Sequence, residues 1–314
     1  MSPNKCLVIG DINIDFDLHA RHYPSEGGEA QAEQADFRLG GSGCLTALYL
    51  QLLGLPTALA AAMGTDVFSQ FAAEYLSVSG IDESFIRKLP DEQTGFFMIL
   101  VTPGGQRTMF GSRGANTAAF DADALIARLG EFGHLHISGY FLLEDEQYGS
   151  VRRVMTSAKA RGITISLDPG LCPSEQASDR ILGLLKEVDY FLPSREELGL
   201  LADDLEPEES ITMLLELGCG AVVLKMGSEG AKYYKNGFSV SVPPEIEAGK
   251  VILDTTGAGD CFNAGFIHGM LNGYTPENAL KQANTAAYKL ITSEHGIMDL
   301  IKKSGLPVRS FPIM

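Results

Sequence analysis

The chain has 314 residues, of which 45% are hydrophobic and 20% are charged, and its formal net charge is −16. Such a chain can bury about three quarters of its unfolded surface, so we expect one domain over residues 1–314, with two modest domains as the alternative. An acidic surface repels nucleic acid and anionic membranes, which excludes both as expected partners, whereas a local cluster of backbone N–H groups can still bind a nucleotide phosphate.

Short apolar runs alternate with helical patterns along the chain. Strands are predicted at residues 5–10, 57–63, 134–138, 163–168, 188–192 and 221–225, and helices at 45–53, 67–79, 145–161, 175–187 and 208–217. Continuous apolar strands separated by helices favour a parallel sheet that is covered on both faces. The expected fold class is therefore α/β.

Two segments depart from this pattern. In residues 11–18 (DINIDFDL), apolar and polar residues alternate, which predicts a strand with one polar face. Residues 94–101 and 107–110 are joined by the turn 103–106, which indicates a hairpin. We expect a small antiparallel sheet, formed by about 11–38 and 84–112, that acts as a lid over the carboxyl edge of the parallel strands.

The cysteines and histidines offer no metal site. Five cysteines are widely spaced among apolar residues, which favours buried free thiols: Cys6, Cys44, Cys172, Cys219 and Cys261. Their odd number, and the lack of a signal-peptide pattern, predict a cytoplasmic protein. His134 and His136 share a strand face without a third ligand, so we expect packing or hydrogen bonding there.

The segment Asp254-Thr255-Thr256-Gly257-Ala258-Gly259-Asp260 carries the strongest functional pattern. It precedes an apolar helical run at 261–271, so two glycines open the backbone at a helix start, where N–H groups and the helix dipole favour an anion. Asp260 is placed to accept a hydroxyl proton beside that anion. The dipole is expected to lower the pKa of Asp260. The alternative is a glycine turn whose acidic residue stabilises the helix.

The run DTTGAGDCFNAGF resembles the second signature of the ribokinase-like (PfkB) carbohydrate kinases. The likeness extends in order through GDINID, GGSG, the hairpin, HISGY and residues 221–230. It implies a ribokinase-like three-layer sandwich with a mostly parallel central sheet and a small antiparallel β lid. It also implies ATP and Mg²⁺ as cofactors, Asp260 as catalytic base, and the backbone of Gly257, Ala258 and Gly259 as the anion hole.

The resemblance further assigns an acceptor side. The residues expected there are Asn13, Asp15, Gly40, Gly41, Ser42 and Arg107. Leu45 departs from the family, since many members have an asparagine there that grips a sugar hydroxyl. Arg107 on the hairpin and Arg113 just beyond it are each candidates to contact the substrate or the phosphate. For both, an ordinary solvated arginine is the alternative.

On the nucleotide side, the likeness assigns Ser194, Glu197, Lys225, Gly227 and Gly230. Ser194 stands where the family has asparagine, and the alternative role for this serine is a helix cap. The alternative for Gly227 and Gly230 is a tight turn between strands. Asp254 and Thr256 resemble ligands of the monovalent cation, K⁺, that many members bind, and helix capping is the alternative for both.

We therefore predict ATP-dependent phosphorylation of a hydroxyl on a small neutral sugar or sugar-like substrate of the ribose, fructose or nucleoside type. The alternatives are a sugar-acid kinase acting on 2-keto-3-deoxygluconate and a non-catalytic sugar or nucleotide sensor. A Rossmann dehydrogenase is disfavoured, because GDINID replaces the expected GxGxxG after the first strand. In many relatives the lid also pairs subunits, which implies a homodimer.

Overall fold

The computed structural model describes residues 4–103, 107–203, 205–247, 249–293 and 297–303. The strands in these ranges are β1 (Cys6–Ile9), β2 (Asn13–Ala20), β3 (Ala32–Gly40), β4 (Thr57–Met63), β5 (Asp82–Lys88), β6 (Gly95–Val101), β7 (Arg107–Ser112), β8 (His134–Ser138), β9 (Thr164–Asp168), β10 (Tyr190–Phe191), β11 (Val222–Lys225), β12 (Ala231–Lys235) and β13 (Phe238–Val242). The α-helices are α1 (Ser42–Leu52), α2 (Val67–Ser79), α3 (Ala122–Ala127), α4 (Asp145–Lys159), α5 (Leu171–Gln176), α6 (Ser178–Leu184), α7 (Arg195–Leu201), α8 (Pro207–Glu216), α9 (Ala258–Leu271), α10 (Pro276–Ile291) and α11 (Ile297–Lys303).

The large sheet has the strand order β13-β12-β11-β10-β9-β8-β1-β4-β5 within the described residues. From β11 to β5 every neighbouring pair is parallel, and β12 and β13 extend the sheet antiparallel. Alternate residues of β1 belong to different cores, with Leu7 beside residues of α4 and Val8 beside residues of α1 and α9. Helices thus cover both faces, which confirms the predicted mostly parallel α/β sandwich.

The small sheet has the order β3-β2-β6-β7. β2 pairs antiparallel with β3 and parallel with β6, and β6 pairs antiparallel with β7. The predicted lid segment 84–112 starts too early, because residues 84–88 belong to β5 and pair with β4 at the edge of the large sheet. Most of the predicted turn 103–106, namely 104–106, lies outside the described residues.

Most of the cysteines and both histidines of β8 are buried. Cys6, Cys44, Cys219 and Cys261 are buried free thiols, and Cys172 is half-buried. The rings of His134 and His136 each lie 2.8 Å from Ser166 Oγ, so both histidines are hydrogen-bonded in the core. None of the described helices combines the length and the apolar composition that crossing a membrane requires.

Asp66 links the start of α2 to the small sheet through hydrogen bonds. It caps α2 by accepting a 2.9 Å hydrogen bond from Ser69 N, and it also accepts 2.8 Å and 2.7 Å bonds from the Thr94 N–H and hydroxyl, just before β6. Burial alone would raise the pKa of Asp66, but the hydrogen bonds from Thr94 outweigh it and lower that pKa. The charged carboxylate therefore joins a helix start to the residue just before a lid strand.

Replacing Asp66 by Ala is expected to lower the free energy of unfolding by roughly 2–4 kcal/mol, because a cap and two bonds to a charged group are lost. Asp121 is a matched control, since it caps only α3 through Ala124 N at 3.0 Å, and Asp121→Ala should cost about 1 kcal/mol. Urea unfolding of both variants measures the difference. Equal losses would show that the Thr94 bonds contribute no stability.

Candidate active site

The glycine turn at residues 254–260 begins the site. Gly257 has a φ of 76°, where any other residue would be strained, and α9 starts at the next residue. A Cβ at Gly257 would also lie 3.1 Å from Leu45 Cδ1, a side chain that packs against the turn. Since the first N–H groups of a helix have no partner within it, the start of α9 can bind an anion.

Asp260 lies in the first turn of α9, and the Ser42 hydroxyl donates a 2.7 Å hydrogen bond to its Oδ1. Burial raises the pKa of Asp260 well above its usual value, the Asp168 charge raises it further, and Ser42 and Lys225 lower it. The expectation of a lowered pKa is wrong, because burial and neighbouring carboxylates outweigh the helix dipole. A raised pKa makes Asp260 a stronger base.

Lys225 ends β11 and carries a positive charge beside Gly259 of the turn. Its Nζ donates a 2.9 Å hydrogen bond to Asp168 Oδ1 and lies 3.9 Å from Glu197 Oε2. A Cβ built on Gly259 would lie only 3.6 Å from the same Nζ. Burial alone would lower the pKa of Lys225, but Asp168 and Glu197 outweigh it and raise that pKa. The ammonium thus stays charged beside the predicted anion site.

The other residues predicted on the nucleotide side form local turns. Ser194 and Glu197 make a complete capping box at the start of α7: the Ser194 N–H donates to Glu197 at 2.7 Å, and the Glu197 N–H donates to the Ser194 hydroxyl at 3.2 Å. Gly227 and Gly230 have φ values of 56° and 88° in the turn between β11 and β12. The structure places all four near the carboxyl end of β11, beside Lys225.

Asn13 and Asp15 point to the same side of the first lid strand but differ in their surroundings. Asn13 donates a 3.0 Å hydrogen bond to Asp11 and accepts a 2.7 Å bond from Asn116, so neighbours fix its side chain. Asp15 lines a cavity that also reaches Leu45 and Gly257. Burial, together with the Asp17 charge, raises the pKa of Asp15 to about 7. Asp15 therefore titrates near neutral pH on the lid side of the site.

The GGSG loop brings α1 against the strand ends. A Cβ at Gly40 would meet the Asp15 carboxylate at 2.3 Å, and one at Gly43 would meet Gly10 Cα at 2.4 Å. The Asp11 carboxylate accepts a 3.1 Å hydrogen bond from the Gly43 N–H. Gly41, with φ 94°, lies just before α1, so the loop holds Ser42 against Asp260.

Two arginines of the small sheet converge on Asp254. Arg38 of β3 donates to Asp254 Oδ2 and to Asp17, and Arg107 of β7 donates to Asp254 Oδ1. The Thr256 N–H and hydroxyl bond to the same Oδ1, at 2.9 Å and 2.8 Å. Asp254 and Thr256, which were predicted to be cation ligands, are thus hydrogen-bonded to each other. Because guanidinium groups already neutralise the carboxylate, this donor set does not fit a monovalent cation.

Sequence reasoning missed several residues of the site: Asp11, Arg38, Asn116 and Asp168. Asp11 and Asp168 stand at or just after the carboxyl ends of β1 and β9, and an acidic residue at the end of a buried strand is the pattern that identifies them. Arg113 takes no part in the cavity. It donates to Glu144 at 2.7 Å and to the Tyr140 carbonyl at 2.8 Å.

A glycine turn at a helix start, a buried aspartate and a lysine thus meet at the carboxyl edge of a parallel sheet, where they offer the anion site, the base and the positive charge that phosphoryl transfer requires. The model of the pfkB family carbohydrate kinases matches residues 3–303. The chain belongs to the pfkB family of carbohydrate kinases, and it is a sugar kinase.

Individual relatives match over most of their length. The chain is 27% identical over 321 residues to a ribokinase of Arabidopsis thaliana, covering 98% of this chain and 81% of that protein. It is 31% identical over 300 residues to a 2-dehydro-3-deoxygluconokinase of Bacillus subtilis, covering 92% and 90%. An Escherichia coli protein provisionally named ribokinase II, solved with ATP and Mg²⁺, superposes with a TM-score of 0.81 at 26% identity, covering 96% of this chain and 98% of that one.

The bond from Ser42 to Asp260 makes a testable contribution to the basicity of Asp260. Because this bond stabilises the charged carboxylate, Ser42→Ala is expected to raise the Asp260 pKa further and to move the acidic limb of the turnover–pH profile to higher pH. Ser42→Thr keeps a hydroxyl and should stay close to the wild-type profile. A lower turnover in Ser42→Ala that is uniform at all pH values would instead indicate displaced structure.

Proposed function

We propose that the protein transfers the γ-phosphoryl group of MgATP to a hydroxyl of a small neutral sugar or polyol-like molecule of the ribose, fructose or nucleoside type. The observation that carries this proposal is the position of Asp260, whose carboxylate lies in the first turn of α9 beside the glycine turn. The ATP and Mg²⁺ bound to the Escherichia coli relative support the choice of donor.

The mechanism follows from the groups around Asp260. Asp260 accepts the proton of the acceptor hydroxyl while the hydroxyl oxygen attacks the γ-phosphorus. The bond from that phosphorus to the bridging oxygen breaks, and ADP leaves with the electron pair. The backbone N–H groups of the turn at Gly257, Ala258 and Gly259 bind the charge on the transferred oxygens. The Lys225 ammonium, held by Asp168, adds a positive charge beside Gly259.

The nucleotide side comprises Ser194, Glu197, Lys225, Gly227 and Gly230. Mg²⁺, when bound with ATP, neutralises charge on the phosphate oxygens. Glu197 would hold it from the protein side, as the family resemblance implies, and its carboxylate lies at the carboxyl end of β11, 3.9 Å from Lys225 Nζ. Within the described ranges no three His, Cys, Asp or Glu side chains gather as a metal site. That suits an ion bound mainly through nucleotide phosphates and water.

The acceptor side favours an uncharged molecule. Asp11 and Asp15 are buried there, and close carboxylates disfavour a phosphate or another anion, whereas Asp17 is paired with Arg38. Asp15 lines the cavity that leads to Gly257, so it can hydrogen-bond acceptor hydroxyls within reach of the turn. The Arg38 and Arg107 side chains, which could otherwise hold an anion, are paired with Asp254. Gly40 and Gly41 provide backbone contacts for the same acceptor.

A sugar acid such as 2-keto-3-deoxygluconate is the second candidate. Arg38 lines the same cavity as Asp15, and a substrate carboxylate there could take the place of Asp254 on the arginines. The Bacillus subtilis relative named 2-dehydro-3-deoxygluconokinase supports this reading. A catalytically silent sensor is less well supported, because the glycine turn, Asp260 and Lys225 are all in place.

The outer face of the small sheet supports lid pairing between two copies of the chain. Phe37, Phe16, Met98 and Phe110 are register partners across β3, β2, β6 and β7, so they form one row. Their face is opposite to that of Asp15 and Arg38, because side chains alternate along a strand. Phe37 and Phe110 are 50% and 56% exposed. A homodimer through this row would cover them.

The proposal is tested by ADP release from MgATP over a panel of matched acceptors, with an acceptor-free control for background hydrolysis. The pairs include fructose with fructose 6-phosphate and ribose with ribose 5-phosphate, and 2-keto-3-deoxygluconate is added as the sugar acid. We expect ADP release with a neutral sugar, and a larger kcat/KM for the unphosphorylated member of each pair, because the buried carboxylates repel a second phosphate.

Three other outcomes would contradict the proposal in different ways. A preference of roughly tenfold or more for a phosphorylated member would overturn the neutral acceptor. Binding of an acceptor without any ADP release would favour the sensor. Loss of activity in Arg107→Ala on the sugar acid, but not on a neutral sugar, would place a substrate carboxylate at Arg107.

A further inference from the structure

Asp254 is the junction between the small sheet and the phosphoryl-binding turn. It stands three residues before Gly257, and its two oxygens accept from arginines on two separate lid strands, β3 and β7. Thr256, within the turn, bonds to the same carboxylate through both its N–H and its hydroxyl. The turn is therefore fixed from the lid side by charged hydrogen bonds.

The charges of the two arginines and of the carboxylates that they pair with directly are balanced. Arg38 pairs with Asp17 as well as with Asp254, so two guanidiniums face two carboxylates. The side chains of Arg38 and Asp254 are 20% and 22% exposed, and that of Asp17 only 2%. Burial alone would raise the pKa of Asp254, but Arg38 outweighs it and lowers that pKa to about 2. A third positive charge at Asp254 would meet two guanidiniums that cannot lose their protons.

A guanidinium group neutralises the Asp254 carboxylate, as a monovalent cation bound at this position would. A monovalent cation near the turn can neutralise Asp254 and draw oxygen ligands together, but it donates no hydrogen bonds. Arg38 and Arg107 neutralise the same carboxylate and donate hydrogen bonds to it, and these charged hydrogen bonds link it to the lid strands that carry the two arginines. Asp254 and Thr256, the predicted cation ligands, are thus already satisfied within the chain.

We propose that Arg38 and Arg107 take the place of a monovalent cation at Asp254, so that phosphoryl transfer by this protein requires neither K⁺ nor any other monovalent cation. The inference rests on the proposed kinase function and adds that Arg38 and Arg107 are positioning residues, which act on the transferred group through Asp254 and the glycine turn.

The first experiment measures ADP release with a neutral acceptor in KCl, NaCl and choline chloride at one ionic strength. The expected result is the same turnover in all three salts within about twofold, which is a small difference in activation free energy. A turnover in choline chloride that is lower by roughly tenfold or more would overturn the inference. No ADP release in any salt would instead contradict the proposed function.

The second experiment compares Arg107→Gln with Arg153→Gln. Arg153 pairs with Asp123 at an exposed site, so its loss is a matched control for the removal of one arginine. Arg107→Gln is expected to lose turnover with little change in the KM for ATP, and to become faster in KCl than in choline chloride, because the ion can then approach Asp254. A variant that keeps wild-type turnover in both salts would overturn the inference.

A third readout does not depend on activity. The melting temperature of the wild-type protein without substrates is expected to be the same in KCl and in choline chloride. A melting temperature that rises in KCl, with Asp254→Asn abolishing the rise, would show a cation site at Asp254 and overturn the inference. This measurement decides the question even if the acceptor has not been identified.

Discussion

The whole site depends on how negative charge is stabilised at the start of α9. Asp260 lies there with Asp11 and Asp168 nearby, and both of these carboxylates disfavour the charged form of Asp260. Lys225 offsets part of this charge, because it pairs with Asp168 at 2.9 Å and lies next to Gly259. The N–H groups and the dipole at the helix start stabilise a further part of this negative charge. The groups that stabilise the charge of Asp260 can therefore also stabilise a transferring phosphoryl group, whose charge develops at that point.

The fold brings these groups together from distant parts of the chain. Parallel strands end at one edge of the large sheet, which places Asp168 of β9 and Lys225 of β11 side by side. Helices α1 and α9 pack together, so Ser42 reaches Asp260 although the two are 218 residues apart in sequence. The small sheet adds Asp15 on its inner face and ties itself to the turn through Arg38. Donor, base and acceptor groups thus meet without any one segment supplying all of them.

The sequence predicted the elements whose signal is local. Strands at 57–63 and 134–138 have the predicted bounds, and every residue in both strands is buried. β3 gave no such signal, because residues 32–40 are mostly polar and exposed until Leu39 and Gly40. The glycine turn and Asp260 were evident from their spacing. The pairing of Arg38 with Asp254 joins residues 216 apart, and the raised pKa of Asp260 depends on neighbours from three elements, so neither could be read from local sequence.

The central claim, that Asp260 is the base in phosphoryl transfer, is tested most directly by Asp260→Asn. The amide is nearly isosteric with the carboxylate, so the melting temperature and the affinities for MgATP and acceptor should be retained. Formation of the phosphorylated product, followed by phosphorus NMR under saturating substrates, should slow by roughly 10²–10⁴, the usual contribution of a positioned base. Product formation at a near wild-type rate would contradict the account and remove Asp260 from the mechanism.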